Sequence, residues 1–132
     1  MIGDINFKGY ISIDGDNIGA KIEKLLIENK KNKLREFSGY IKYTINDISK
    51  FLENYNIELI FCAGDNLLGY GNIDCELIAK LTKKIKRYKI NFSVGIGRTL
   101  CDVYLALKYS KAHGKHRITI VCNSKIIYSK KI

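Results

Sequence analysis

Residues 57–70 constrain the fold more tightly than any other stretch of this chain. Ile57-Glu58-Leu59-Ile60-Phe61-Cys62 is nearly all apolar and reads as a strand buried on both faces. Ala63-Gly64-Asp65-Asn66 is a tight turn, and Leu67-Leu68-Gly69-Tyr70 is the return strand of a hairpin. Ahead of this hairpin, Tyr10-Ile11-Ser12-Ile13-Asp14 alternates with period two and stops at Gly15. Ile18, Ile22, Leu25 and Leu26 then line one helical face, with Asp16 or Asn17 as its N-cap. After a polar break over residues 29–33, Leu34, Phe37, Ile41, Ile45, Ile48, Leu52 and Tyr55 recur at helical spacing, straight through Gly39.

Beyond the hairpin, Ile73, Leu77, Ile78, Leu81, Ile85 and Tyr88 predict a helix capped by Asn72. Ile90, Phe92, Val94 and Ile96 alternate with Asn91, Ser93, Gly95 and Gly97, the pattern of a half-buried strand. Thr99 with Asp102 resembles a capping box at the start of a helix that Gly114 ends. Residues 117–122 and 125–128 make one or two final strands. The order β-α-α-β-β-α-β-α-β, uninterrupted by a linker, predicts an α+β architecture: an antiparallel sheet with helices on one face, ferredoxin-like. A length of 132 residues fits one domain, residues 1–132.

The formal charge of +10 points first to a polyanionic partner. Of the 23 basic residues, however, 19 are Lys, beside 22 Ile and 11 Asn with no Pro or Trp. That is the composition an AT-rich genome imposes, so most of these lysines read as solvated surface. Tyr10, Tyr70 and Tyr109 form no recognisable RNA-binding motif, and no stable nucleic-acid partner is expected. Cys62, Cys75, Cys101 and Cys122 lack metal-site spacing and read as reduced thiols. Without a leader-like start or an apolar run of membrane length, the sequence predicts a soluble cytoplasmic domain with no membrane partner.

Two acidic turns carry the chemistry. In a ferredoxin-like sheet the end of the first strand, at Asp14, neighbours the hairpin turn at Asp65. Two carboxylates so placed repel unless a cation lies between them, and Mg²⁺ suits few protein ligands. Gly15 and Gly64 leave room for a bulky ligand. Asp14-Gly15-Asp16-Asn17-Ile18-Gly19 runs into a helix whose first N–H groups attract anions. The same segment matches only part of a calcium loop, since Ile18 and Leu25 stand where ligands are needed. Ile18 also replaces the Thr of the haloacid-dehalogenase D-x-D motif, and no parallel βαβ pattern follows. Lys108, Lys111 and Lys115 lie along one side of the last helix and its exit. They either complement the helix dipole or hold the phosphates of a nucleotide.

Asp14 after a strand, the Gly64-Asp65 turn, Phe92-Ser93-Val94-Gly95-Ile96-Gly97 and Ala106-Leu107 through Ser110-Lys111 to Gly114-Lys115 stand in a familiar order. It is the order of the nucleotide-cyclase and polymerase palm superfamily, spanning about residues 8–122. The chain resembles GGDEF diguanylate cyclases, the polymerase-like subunit of type III CRISPR complexes and, closest in size, the stand-alone minimal CRISPR polymerases. The resemblance implies a palm-domain nucleotidyltransferase that condenses NTPs, ATP by preference, into a cyclic dinucleotide or oligonucleotide and releases pyrophosphate. Such a second messenger would serve antiphage defence through a downstream effector. It further implies Asp14 and Asp65, with the Gly15 backbone, as ligands of Mg²⁺ or Mn²⁺. Asp16, Asn17, Ile18 and Gly19 resemble the phosphate-cradling turn, and Lys111 the lysine that contacts the triphosphate. Lys115 stands where the cyclases often have Arg. Two NTPs would meet between the chains of a homodimer or higher oligomer.

Two positions depart from the pattern. Ala63 replaces the first glycine of the signature, and Asn66, beside the nucleotide, replaces its second acidic residue. Either Asp16 supplies the missing carboxylate for catalysis or the site is weak. The alternative reading is a degenerate palm that binds nucleotide or RNA as a sensor without turnover.

Overall fold

The computed structural model describes residues 2–132. A short 3-10 turn leads into β1 (Asn6–Gly15), followed by α1 (Ile18–Ile27), α2 (Lys31–Asn54), the hairpin strands β2 (Glu58–Ala63) and β3 (Asn66–Asp74), α3 (Cys75–Ile85), β4 (Phe92–Gly97), α4 (Leu100–Ala112), β5 (Arg117–Cys122) and β6 (Lys125–Lys131). The six strands form one sheet in the order β2-β3-β1-β4-β5-β6. β1 is central and antiparallel to both neighbours, with Asp14 opposite Asn66 on one side and Ser93 on the other. The α+β class and ferredoxin-like order hold, with two corrections. β4 and β5 are parallel, because α4 is a crossover rather than a turn, so the sheet is mixed. The helices also occupy both faces.

That second correction follows from the pleat. Phe92, Val94 and Ile96 point into the main core with Ile11, Ile13, Ile118 and Ile120, where the apolar stripes of α2 and α3 cover them. Gly95 and Gly97 point the other way, into α4. A Cβ on Gly95 would lie 2.4 Å from the Leu107 backbone nitrogen, and one on Gly97 2.5 Å from that of Val103. β4 is therefore buried on both faces, not half-buried. Its alternating small residues admit a helix backbone where the period-two pattern suggested solvent.

β2 differs in the opposite sense. It is an edge strand, with Ile60 50% and Phe61 48% exposed, instead of a strand covered twice. An apolar run reports β propensity, but its place in the sheet is set by which strands take its neighbouring positions. α3 begins at Cys75 rather than near Asn72, since Asp74 is its cap and accepts from the Leu77 N–H at 2.9 Å. Ile73 stays on β3, its spacing to Leu77 being compatible with a last strand residue as well as a first helical one. Thr99 caps α4, accepting from Asp102 N at 3.1 Å. The Asp102 carboxylate does not close the box; it turns to the β5–β6 turn and accepts from Asn123 N and Ser124 N. All four cysteines are free, with Cys62 exposed. Among the described residues no helix is long and apolar enough to cross a membrane.

Gly95→Ala is expected to destabilise the fold by about 3 kcal/mol, because the obstructing atoms are helix backbone and cannot rotate away. Gly19→Ala on α1, with no atom within 4 Å of the added methyl, is expected to be neutral or mildly stabilising. Urea unfolding of the two variants measures the contrast.

Candidate nucleotide and metal site

The end of β1 is clamped between two neighbours. Gly15 N donates to the Asp65 carbonyl and Asp16 N to that of Asn91, each at 2.9 Å. This brings the Asp65 side chain against Gly15: a Cβ there would meet Asp65 Oδ2 at 3.0 Å and Ile18 Cγ1 at 2.6 Å. Asp14 and Asp65 thus lie together, as the hairpin geometry predicted. From the far side of β4, α4 sends Lys111 into the cluster. Its ammonium contacts Asp14 Oδ2 (2.9 Å), the Gly15 carbonyl (2.8 Å) and Asp16 Oδ1 (2.9 Å).

Asp16 is placed differently from the expectation of an open ligand. It is buried, and both its oxygens are engaged. Oδ1 accepts from Ser93 Oγ (2.6 Å) and Lys111, and Oδ2 from His116 N (2.9 Å). Its carboxylate is turned inward by the strand end, so it organises Lys111 and the 114–116 loop instead of facing outward beside Asp14. The loop itself holds Lys115 and His116 at positive φ, 59° and 46°. From there Lys115 Nζ reaches Asn17 Oδ1 at 2.6 Å, at the mouth of α1. Asn17 occupies the N-cap position in a left-handed conformation, φ 60°, and no side chain caps α1.

Lys108 does not join this group. It shares the outer face of α4 with Tyr104, over whose ring its ammonium lies at 5.6 Å, while the next turn carries Lys111 inward. Asn66 begins β3 opposite Asp14, and Gly19 lies in the first turn of α1. Sequence reasoning missed Ser93 and the His116 amide. Ser93 read as the solvent side of a half-buried strand, and only the packing of α4 makes it interior.

A cleft of about 890 Å³ opens beside Asp65, between α1, α2 and the hairpin. Ile18, Ile22 and Ile41 give it an apolar wall, and Ser38, Lys42 and Asn46 supply polar atoms. Gly39, which costs the middle of a 24-residue helix about 1 kcal/mol relative to Ala, faces this space.

The electrostatics of the cluster are unbalanced. Asp14 and Asp16 contact the ammonium of Lys111, and a third carboxylate, Asp65, lies close enough to feel the charges of Asp14 and Lys111. Burial, then the charge of Asp14, pushes the Asp65 carboxyl above its usual range. Burial works against the Lys111 ammonium, but its bonds to Asp16 and Asp14 outweigh this and hold it charged above its ordinary range. Among the described residues no three His, Cys, Asp or Glu side chains form a ready ligand set. The oxygens available are two carboxylates and the Gly15 carbonyl, hard donors of the type Mg²⁺ and Mn²⁺ prefer. Lys111 already places a cation on two of them, Asp14 Oδ2 and the Gly15 carbonyl.

A family profile described as the minimal CRISPR polymerase domain matches residues 10–121. The chain belongs to this family. Solved structures agree on the fold of this minimal CRISPR polymerase domain. The Csm1-Csm4 cassette in complex with one ATP superposes with a TM-score of 0.68 at 22% identity, over 86% of this chain and 20% of that one. The chain thus spans about a fifth of the length of that relative. A diguanylate cyclase/phosphodiesterase from Caldicellulosiruptor saccharolyticus matches at TM-score 0.62 and 16% identity, covering 90% of this chain and 78% of that one. The adenylyl cyclase CyaB from P. aeruginosa gives 0.61 at 12% identity, covering 87% and 78%. Comparison with curated proteins returns no significant match. The fold is the palm of nucleotide cyclases and polymerases.

Asp65→Asn is expected to stabilise the metal-free protein at neutral pH. A carboxyl whose pKa is raised by folding favours the folded state only while protonated, and that contribution disappears as pH rises through the raised value. The advantage of the neutral variant should therefore be greatest above the raised value and shrink as pH falls through it toward the ordinary carboxylate range. Thermal melts of both proteins from neutral pH down to that range, in chelator, measure it.

Proposed function

We propose that this palm is a nucleotidyltransferase that condenses NTPs, ATP by preference, into a cyclic dinucleotide or oligonucleotide. The observation that carries the reading is the convergence of Asp14, Asp65, the Gly15 carbonyl and Lys111 at the rim of the cleft. Asp14, Asp65 and the Gly15 carbonyl would hold Mg²⁺ or Mn²⁺. Bound there, the ion would lower the pKa of a ribose hydroxyl and neutralise charge on the α-phosphate. The base and ribose of one NTP occupy the cleft, against Ile18, Ile22 and Ile41, with Ser38 and Asn46 as hydrogen-bonding groups. The triphosphate runs from the cleft across Asn17 and the uncapped start of α1 toward Lys111 and Lys115. The attacking ribose oxygen forms the new bond to the α-phosphorus. The bond to the bridging oxygen breaks, pyrophosphate leaves against the two lysines, and the hydroxyl proton passes to solvent.

The attacking NTP needs a second seat, which we place on a second copy in a homodimer or higher oligomer. The Csm1-Csm4 cassette, of which the palm is only part, has been captured with ATP, with AMPPNP and with cA4. Those complexes support adenine nucleotides here as substrate and product class. A role in antiphage defence, through an effector that senses the product in the cytoplasm, completes the proposal and follows the family.

Incubation with each NTP and Mg²⁺ or Mn²⁺ should release pyrophosphate and give a cyclic product by mass spectrometry. Asp14→Ala and Asp65→Ala should each lower turnover by at least about a hundredfold. Nucleotide binding without turnover in the unmodified protein would establish instead the sensor reading, for which Asn66 is the motivating residue.

The cleft has its own test. Gly39→Met adds a side chain to the cleft wall and removes a helix-interior glycine. It should raise the melting temperature while weakening binding of a fluorescent ATP analogue by about tenfold or more. Unchanged binding in the stabilised variant would place the base elsewhere.

A further inference from the structure

Lys111 does two things that a phosphate-binding lysine alone does not require. Its ammonium lies on Asp14 Oδ2 and the Gly15 carbonyl, two of the three groups assigned above to the metal ion. It is also tethered from behind by Asp16 Oδ1, whose carboxylate is itself fixed by Ser93 Oγ and the His116 amide. We propose that Lys111 is a built-in counter-ion that closes the metal position in the free protein and yields it only when a triphosphate arrives.

The argument is one of competing cations. An ion entering without nucleotide must displace an ammonium already held at 2.8–2.9 Å by the oxygens it needs. The displaced ammonium then stays beside a like charge for as long as it keeps its bond to Asp16. Phosphate oxygens change that balance. They offer the ammonium new partners on the open side of the site, while Asp16 keeps it within one side chain's reach. Metal and triphosphate should therefore bind with positive coupling, each lowering the cost of the other. Neither Lys115, held on Asn17, nor Lys108, stacked on Tyr104, lies on Asp14 or Gly15.

The inference rests on the metal position proposed above, and Mn²⁺ titration followed by electron paramagnetic resonance tests both separately. In unmodified protein, Mn²⁺ alone should bind weakly. Saturating α,β-methylene-ATP, which cannot be cleaved at the α–β bridge, should tighten it by about tenfold beyond the nucleotide's own affinity for Mn²⁺. Lys111→Met should tighten the binding of Mn²⁺ alone by about tenfold and remove most of that coupling. Damage to the fold weakens a metal site, so a gain in affinity distinguishes the counter-ion role from a structural one. Lys111→Gln, which removes the charge but keeps a polar side chain, serves if the methionine variant fails to fold and should act in the same direction. Mn²⁺ binding that Asp14→Asn abolishes but that neither Lys111 variant tightens would overturn the counter-ion role and leave the metal position standing. Absence of Mn²⁺ binding in every form, with nucleotide or without, would overturn both.

Discussion

The close approach of α4 to β4 governs everything in the candidate site. Because Gly95 and Gly97 have no side chains, the helix backbone lies directly on the sheet, and Ser93, one step along the same face, is buried with its hydroxyl on Asp16 and the His116 amide. Ser110 Oγ completes the contact by donating to the Val94 carbonyl across the interface at 2.9 Å. From that height the next residue, Lys111, reaches past β4 to the end of β1. A helix lifted by a few ångströms to accommodate methyl groups would leave Lys111 short of Asp14 and Asp16 without altering a residue of the site. The glycines therefore act on the chemistry through distance, a link between packing and function that no single side chain of the cluster reveals.

The charge arrangement at the end of β1 makes sense once this reach is fixed. Three carboxylates in one corner would repel if only solvent separated them, and burial makes the repulsion worse. The protein answers with a single tethered ammonium, leaving a residual charge of about −2 when all three carboxylates are ionised. That residue of negative charge is matched by one divalent ion. On the proposed reading, the same corner passes from an ammonium-balanced state to an ion-balanced one when a triphosphate, itself anionic, takes over the lysine.

Much of this was legible from residue patterns. Period two over 10–14 and the 63–66 turn were enough to put Asp14 beside Asp65, because hairpin geometry and a central β1 leave few alternatives. The helices of residues 34–55 and 100–112 declared themselves by spacing and by the Thr99 cap. What stayed hidden depended on neighbours that a local pattern cannot name. Ile60 and Phe61 look like interior residues until β3 takes the inner position beside β1. Gly95 and Ser93 look like a solvent face until α4 covers them. Asp16 looks like a spare ligand until its two oxygens are seen taken by residues 93, 111 and 116. The cleft is legible in no segment at all, being assembled from α1, α2 and the hairpin, although Gly39 in mid-helix was a local inconsistency of the kind that marks function.

Asn66 acquires a different meaning in this setting. Read against the family signature, an amide in place of a carboxylate looks like a loss. In the folded chain, residue 66 starts β3 directly opposite Asp14. A fourth carboxylate there would face the end of β1 with Lys111 already engaged by Asp14 and Asp16. The cluster would then carry about −3 and would hold a divalent ion more tightly in the absence of nucleotide. An amide keeps the hydrogen-bonding capacity of the position and leaves the ammonium able to compete for the site. On this view the substitution and the tethered lysine belong to one arrangement, in which weak binding of the ion alone is the condition for its coupling to the triphosphate.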